Sequence, residues 1–242
     1  MISLFKKKKD ISVSPLTVDV HSHLLPGLDD GVQSMDESIA ILSEMSEIGY
    51  EKVITTPHVI ADHYPNTPET IYKSLRELRE KIKEVGLNIQ VQAAAEYYLD
   101  DHLLEKLENN DALLTFGDNY LLFETSFINQ PSFLVEAVFK ISALGLKPVL
   151  AHPERYLYLQ QNESLLSELL DRGVHLQINL NSLTGYYSKP ARKFAEKLIE
   201  RGQVSFIGSD CHNSKHMESL KRATQMRYFE KATNQGLLNN ML

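Results

Sequence analysis

Short apolar runs alternate with longer amphipathic runs along this chain, and the alternation restricts it to an α/β fold. The apolar runs predict seven strands, over residues 16–20, 52–56, 88–95, 120–124, 147–151, 174–180 and 204–208. The amphipathic runs predict seven helices, over residues 35–48, 68–84, 101–108, 131–144, 164–172, 190–200 and 216–233. Glycines stand where five of these helices should end, as is typical of the left-handed residue just past a helix, at Gly49, Gly86, Gly145, Gly173 and Gly202.

Several of the predicted strands are too continuously apolar to have one face in water. Such strands are buried on both sides, as in parallel sheets that are covered by helices. Seven strands alternating with seven helices favour a closed or nearly closed parallel barrel over an open doubly wound sheet. No linker or change of composition marks a second domain, so we predict one barrel domain over residues 15–242, preceded by a basic, flexible tail over residues 1–14.

Composition and charge narrow the class of protein. The 242 residues are 43% hydrophobic and carry a formal net charge of −7, which provides no broad basic face for nucleic acid. Cys211 is the single cysteine, so no internal disulfide can form. We find neither a secretory signal nor an apolar stretch long enough to span a bilayer, and we predict a cytoplasmic enzyme. The Lys6–Lys9 run is either a solvated tail or a weak contact with an anionic membrane surface.

Histidines and carboxylates follow the ends of the predicted strands. Five of the nine histidines lie there, namely His21, His23, His58, His152 and His212. The accompanying carboxylates are Asp30, Glu96, Glu124 and Asp210. In parallel barrels the carboxyl ends of the strands meet at one face, where the chemistry is found. The exception is the strand over 174–180, which offers Asn179 and Asn181 instead.

The spacing of these residues points to a metal site. Side chains at i and i+2 of an extended segment point the same way, so His21 and His23 converge, as do Asp210 and His212. Taken alone, a histidine such as His58 or His152 is more often a satisfied structural residue than a ligand. Burying all of these groups together would be very costly without cations to balance them. Because carboxylates can bridge two metals, interior acids such as Glu96 indicate two or three ions.

Other hydrolytic mechanisms lack their motifs. A cysteine phosphatase needs an arginine six positions after its cysteine, whereas Met217 stands six positions after Cys211. The chain contains neither a G-x-S-x-G elbow nor a G-x-x-x-x-G-K-[ST] phosphate loop. Water activated by metal is therefore the predicted nucleophile.

Taken in order, the motifs resemble those of a known family. The segments are D-V-H-S-H-L-L-P-G-L-D-D-G, T-T-P-H, A-A-E-Y-Y, L-F-E, A-H-P-E-R-Y and S-D-C-H, and they span essentially the whole chain. This set resembles the polymerase-and-histidinol-phosphatase superfamily. Within it, the chain looks like the manganese-dependent protein-tyrosine phosphatases encoded with bacterial capsule and exopolysaccharide genes.

The resemblance implies a single distorted (βα)7 barrel with three metal ions at the carboxyl ends of its strands. The ions are commonly assigned as Mn²⁺, although nitrogen and oxygen ligands also accept iron or zinc. Motif by motif, the first ion would be held by His21, His23, Glu96 and Asp210, the second by Glu96, Glu124 and His152, and the third by Asp30, His58 and His212.

The resemblance also assigns a catalytic residue and a substrate. Arg155 matches an arginine that meets the phosphate, the other reading being a surface salt bridge. Relatives have a further basic residue after the last motif, for which Lys215 is the candidate here. The implied reaction is hydrolysis of phosphotyrosine on the tail of a membrane-associated bacterial tyrosine kinase that controls capsule and exopolysaccharide synthesis. Two alternatives stay open: a small-molecule phosphoesterase such as a histidinol phosphatase, and a metal-free binding module.

Overall fold

The computed structural model describes residues 15–242, so the Lys6–Lys9 run and the predicted tail lie outside the described residues. This part of the chain is a mixed α/β fold built on a curled parallel sheet. Its strands are β1 (Val18–Asp19), β2 (Lys52–Thr55), β3 (His58–Val59), β4 (Gln90–Ala93), β5 (Glu96–Tyr98), β6 (Tyr120–Glu124), β7 (Lys147–Ala151), β8 (His175–Asn179) and β9 (Phe206–Gly208). They pair in two groups, in the orders β1-β2-β4 and β3-β5-β6-β7-β8-β9, and every pairing is parallel.

The nine strands correspond to seven extended regions, because two regions are interrupted. β2 and β3 are separated at Pro57, which has no N–H to donate to a ladder. β4 and β5 are separated by two alanines, and the strand predicted over 88–95 stopped short of β5. Backbone hydrogen bonds continue across the breaks, with Ala94 N donating to Thr55 O at 2.9 Å and Glu96 N to Pro57 O at 3.1 Å. At each interruption the chain passes from the first group of strands to the second, and these hydrogen bonds hold the two groups together.

The segments that follow β1 and β9 lie side by side. Ser22 and Cys211 form a parallel bridge, and Asp210 N donates to His21 O at 2.7 Å. Below them, Ser209 donates from both its backbone N and its Oγ to the buried Asp19 carboxyl, each at 2.7 Å. Burial raises the pKa of Asp19 to about 7, although the Ser209 hydrogen bonds lower it. These contacts bring the first and last extended regions of the chain together.

Helices cover the sheet, mostly where the sequence predicted them. They are α1 (Met35–Glu47), α2 (Pro68–Val85), α3 (Asp101–Glu108), α4 (Leu134–Ala143), α5 (Leu157–Gln160), α6 (Glu163–Asp171), α7 (Lys189–Glu200), α8 (Ser214–Ala223) and α9 (Arg227–Thr233). The capping box of Ser34 and Glu37 is present at the start of α1. Gly86 follows α2 with φ of 69°, as predicted for a helix-ending glycine.

One helix prediction is wrong. The single helix predicted over 216–233 is two helices, α8 and α9, separated at residues 224–226. The first begins earlier than predicted because the Asn213 side chain accepts hydrogen bonds from Lys215 N and His216 N and so acts as the N-cap. The short α5 was not predicted, since four residues are too few to show helical periodicity.

Apolar side chains form two clusters on the two faces of the sheet. The larger lies between the strands and the helices. The smaller includes Ile54, Val149 and Phe206, which lie on β2, β7 and β9, together with Val20 and Phe116. Most strands are buried on both faces and therefore read as continuous apolar runs in the sequence, whereas β4 exposes Gln90 and Gln92 on one face. Within residues 15–242, no helix combines the length and hydrophobicity that crossing a membrane requires.

Candidate metal centre

The nine predicted metal-binding side chains lie together: most of them are within a few residues of the carboxyl end of a strand, and Asp30 is in the loop that follows β1. Those next to β1 and β9 come from the adjacent segments described above, and His58 and Glu96 begin β3 and β5. Three groups have ligand atoms that all lie within 4.8 Å of one another: His21, His23 and Glu96; His58, Glu96 and Glu124; and His23, Asp30, His58 and His212. Glu96 or His58 belongs to each group, so the groups form one continuous cluster.

The first set of predicted ligands is compact and buried. His21 Nε2 and His23 Nε2 are 3.2 Å apart, and Glu96 Oε2 lies 3.2 and 3.4 Å from them. Asp210 Oδ1 lies 3.5 and 3.4 Å from the same two nitrogens. Ligand atoms bound at about 2.1 Å to one ion are separated by about 3.0–3.4 Å in octahedral or tetrahedral geometry. The atoms of His21, His23 and Glu96 lie at separations that suit a single cation, and Asp210 Oδ1 lies beside both nitrogens.

Glu96 connects this set to the second. Its other oxygen, Oε1, lies 2.9 Å from His152 Nε2, and Glu124 Oε2 lies 3.8 Å from the same nitrogen. A carboxylate whose two oxygens face different groups of ligands has the geometry of a bridge between two cations.

The third set is more exposed. Asp30 Oδ1 lies 3.5 Å from His58 Nε2 and 3.4 Å from His212 Nε2. The other nitrogen of His58, Nδ1, lies 3.1 Å from both Glu96 Oε2 and Glu124 Oε1. The His58 ring therefore stands between the third set and the two carboxylates of the second.

Two buried polar atoms in the cluster lack a well-formed hydrogen bond, and for the Glu96 carboxylate oxygen a cation would be a suitable partner. Glu96 Oε2 and His58 Nδ1 are buried and make no hydrogen bond within residues 15–242, although the ions' expected ligands surround them. Burial raises the pKa of Glu96, but the imidazoles of His21 and His58 outweigh it and hold that pKa well below its ordinary value. Burial lowers the pKa of His21, whereas Glu96 and Asp210 raise it, to about 9. The cluster thus has strong negative charge that protons or cations must balance.

Three of the histidines, His21, His23 and His212, are held so that Nε2 faces the cluster. His21 Nδ1 pairs with Gln177 Oε1 at 2.7 Å, and His23 Nδ1 with Asp29 Oδ2 at 2.7 Å. His212 Nδ1 pairs with the backbone oxygen of Asp210 at 2.9 Å. Such partners on the outer ring nitrogen set the tautomer and orientation of metal-binding histidines. Sequence reasoning missed the role of Asp29, whose only signal was its place beside Asp30, and of Gln177, which gave none.

Backbone conformation at the site is unusual. His152 and Asp210 have φ of 33° and 48°, in the left-handed region that costs non-glycine residues energy. A Cβ on Gly208 would lie 2.6 Å from His21 Cβ and 2.7 Å from Gln177 Nε2. Only glycine therefore leaves room for the His21–Gln177 pair.

Arg155 lies beside the cluster, in a cavity of about 420 Å³. Its guanidinium is stacked between the rings of Phe127 and Tyr187, 4.3 Å from each centroid. Its NH1 lies 3.2 Å from Asp210 Oδ2, which also accepts hydrogen bonds from Tyr187 OH at 2.9 Å and Asn179 Nδ2 at 2.6 Å. Arg155 does form an ion pair, but with a residue of the cluster rather than on the open surface.

The cavity is lined by some residues that the sequence did not predict, and it lacks one that the sequence suggested. Tyr64, Asn213 and His216 line it although their motifs did not single them out. Lys215 is exposed and is not among the residues that line it.

Cys211 faces away from the cluster, as predicted. Its side chain is fully buried in the larger apolar cluster, and Sγ contacts Asn213 O at 3.6 Å. Burial raises the pKa of the thiol, which keeps it protonated. A thiolate mechanism is therefore absent from this site, in agreement with the sequence.

Comparison with known proteins agrees with the geometry. The family model described as "Capsular polysaccharide synthesis, CpsB/CapC" matches residues 17–242. The tyrosine-protein phosphatase CpsB of Streptococcus pneumoniae is 33% identical over 201 residues, which cover 81% of this chain and 83% of that protein. The putative tyrosine-protein phosphatase CapC of Staphylococcus aureus is 32% identical over 198 residues, covering 81% and 77%.

A solved structure shares nearly the whole fold. It belongs to a study of YwqE from Bacillus subtilis and CpsB from Streptococcus pneumoniae, described as unique metal-dependent tyrosine phosphatases. The TM-score is 0.81 at 27% identity, over 93% of this chain and 90% of that one. The resemblance inferred from the motifs is confirmed: this chain belongs to the CpsB/CapC family of capsular polysaccharide synthesis.

Proposed function

We propose that this chain is a metal-dependent phosphatase that hydrolyses phosphotyrosine in proteins. The observation that carries the proposal is the convergence of nine potential ligand side chains in one cluster, which is linked through Glu96 and His58 and lies beside a cavity that also holds Arg155. The activities named for its relatives support the same reaction. They do not favour the alternative of a histidinol phosphatase.

The proposed ions are three Mn²⁺, held as the motifs imply. The first would be bound by His21, His23, Glu96 and Asp210, the second by Glu96, Glu124 and His152, and the third by Asp30, His58 and His212. Bound divalent cations would supply Lewis-acid chemistry, neutralising charge on phosphoryl oxygens and making water a better nucleophile at neutral pH.

The remaining chemistry comes from the chain's own side chains. Arg155 is aligned by its two flanking rings, and its planar guanidinium suits a phosphate dianion. One of its nitrogens contacts Asp210, which leaves the others to orient a phosphate in the cavity. The leaving group is a phenolate, whose conjugate acid has a pKa of about 10, so a strong general acid is not required.

We also propose how the sheet closes and how many domains the chain forms. The bridge between Ser22 and Cys211 supports closure of the sheet into a distorted (βα)7 barrel with the ions at the carboxyl ends of its strands. We propose one barrel domain over residues 15–242.

The proposed substrate is the tyrosine-rich tail of a membrane-associated bacterial tyrosine kinase, and the family's link to capsular polysaccharide synthesis supports this choice. The cytoplasmic location remains a prediction, which fractionation of cells would test.

The test uses protein stripped of metal with a chelator. Adding Mn²⁺ should start release of phosphate from a phosphotyrosine peptide, with far slower release from histidinol phosphate. A Glu96→Gln variant, which keeps the shape of the side chain but removes the bridging charge, should be nearly inactive. Equal or faster hydrolysis of histidinol phosphate would contradict the proposal, as would full activity in the variant.

A further inference from the structure

Three large hydrophobic side chains are exposed in two segments that meet at Phe127, which lines the cavity. Phe127, Ile128 and Leu157, which we name the apolar rim, are 38%, 66% and 45% exposed. Phe127 and Ile128 lie in the segment after β6, and Leu157 is the first residue of α5, shortly after β7. None of them can bind a metal or transfer a proton, so the proposed chemistry does not explain them.

Hydrogen bonds hold the apolar rim in place. Leu157 N donates to Phe127 O at 2.8 Å, which ties the two segments together. Ser126 Oγ accepts from Ile128 N and from Asn129 N, both at 3.4 Å, and so fixes the turn that follows Phe127. The rim is therefore preformed, and a ligand would spend little free energy on ordering it.

The apolar rim is continuous with the wall of the cavity. The Phe127 ring lines the cavity together with His152 and Arg155, and the Arg155 guanidinium lies 4.3 Å from its centroid. The same ring stacks on Tyr156, at 5.8 Å and 27°, which anchors it to the buried part of the fold. A phosphate ester bound at Arg155 would therefore lie next to Phe127, the member of the rim that lines the cavity.

We propose that the apolar rim is a substrate subsite that binds an apolar or aromatic side chain next to the phosphotyrosine in the substrate protein. This inference rests on the proposed phosphatase function. The rim side chains carry no charge, so their complement is an apolar side chain rather than an acidic or basic one. An extended peptide advances about 3.3–3.4 Å per residue, so the neighbours of the phosphotyrosine are the residues close enough to reach the rim.

The experiment compares two phosphotyrosine peptides that differ only at the residues flanking the phosphotyrosine, which are leucine in one and glycine in the other. The small ester p-nitrophenyl phosphate reports on chemistry without a flanking segment. The test variants are Ile128→Ser alone and Ile128→Ser combined with Leu157→Ser. Phe139→Ser is the matched control, since Phe139 is 65% exposed on α4 and is not among the residues lining the cavity.

For the wild-type protein, kcat/KM should be about fivefold to tenfold higher for the leucine peptide, as expected for partial burial of an apolar side chain. Both rim variants should lose most of this preference while hydrolysing p-nitrophenyl phosphate as fast as wild type, which also shows that they fold. Phe139→Ser should keep the preference.

A wild-type protein that treats the two peptides alike would overturn the subsite, as would rim variants that retain the preference. Both results leave the phosphatase function standing. Failure of the wild-type protein to release phosphate from any of the three substrates with Mn²⁺ would instead contradict the proposed function itself.

Discussion

Replacing Asp29 by asparagine tests whether the side chains behind the proposed ligands control metal affinity. Asp29 accepts three N–H groups in the structure. Oδ2 accepts from His23 Nδ1 at 2.7 Å and from His58 N at 3.0 Å, and Oδ1 accepts from Gly31 N at 2.9 Å. Burial raises the pKa of Asp29, but its pairing with His23 outweighs this and lowers it, so the group is a carboxylate at neutral pH.

The introduced asparagine would have only one acceptor oxygen for three donors. With that oxygen in the Oδ2 position, His23 keeps its orientation but the new NH₂ faces Gly31 N–H, which costs about 1.5–3 kcal/mol for a lost hydrogen bond to a charged group. In the opposite orientation the NH₂ faces His23 Nδ1 and forces the proton onto Nε2, the atom proposed to bind metal. In both orientations His23 loses the negative charge that makes its imidazole a more basic ligand, so affinity for the first ion should fall about 10–100-fold, equivalent to about 1.4–2.8 kcal/mol.

Calorimetric titration of Mn²⁺ into chelator-stripped protein measures this affinity, and the Mn²⁺ dependence of phosphotyrosine-peptide hydrolysis gives an independent value. Asp111→Asn, in an exposed loop, is the matched control and should bind Mn²⁺ as wild type does. An unchanged Mn²⁺ affinity in Asp29→Asn would refute the reasoning.

Three further predictions concern neighbouring groups. Tyr187→Phe keeps the ring that stacks on Arg155 but removes the hydrogen bond to Asp210 Oδ2; we expect weaker Mn²⁺ binding by calorimetry, with near-normal kcat at saturating Mn²⁺. Because the pKa of His21 in the metal-free fold is raised from 6.5 to about 9, its stabilising contribution is complete below about pH 6.5 and disappears as the pH rises through 9. Metal-free protein should therefore melt at a lower temperature at pH 9.5 than at pH 7 in calorimetric scans, and the opposite order would contradict this. Cys211→Ala should leave kcat and KM unchanged, and iodoacetamide should not inactivate the native enzyme, because the thiol is fully buried and protonated.

The sequence predicted the regular elements well because their signals are local. The apolar runs, helix caps and terminal glycines lie within a few residues of the features they specify, so β6 and β7 have the predicted bounds. The predicted strand bounds were wrong where contacts between distant parts of the chain determine the strand, as at β5. Glu96 pairs through β5 with β3 and β6 after an alanine break that has no turn signal.

In the candidate site, too, residues with a local sequence signal could be predicted and residues placed by tertiary contacts could not. The nine proposed ligands could be named because eight of them stand at or near the ends of apolar runs, a local property of the sequence, and Asp30 lies in the turn that follows the first run. Gln177 could not, since it lies 156 positions from His21 and shares no periodic pattern with it. The stacking of Arg155 between Phe127 and Tyr187 was equally hidden, because it depends on three loops that meet only in the fold.

The most direct test of the proposed metal centre is a crystal structure of the protein grown with Mn²⁺, with anomalous diffraction recorded at the manganese edge. We expect three manganese peaks at the cluster, two of them in contact with different oxygens of Glu96 and the third between Asp30, His58 and His212. Absence of manganese at Glu96, or manganese bound only by residues outside the nine, would contradict the proposal.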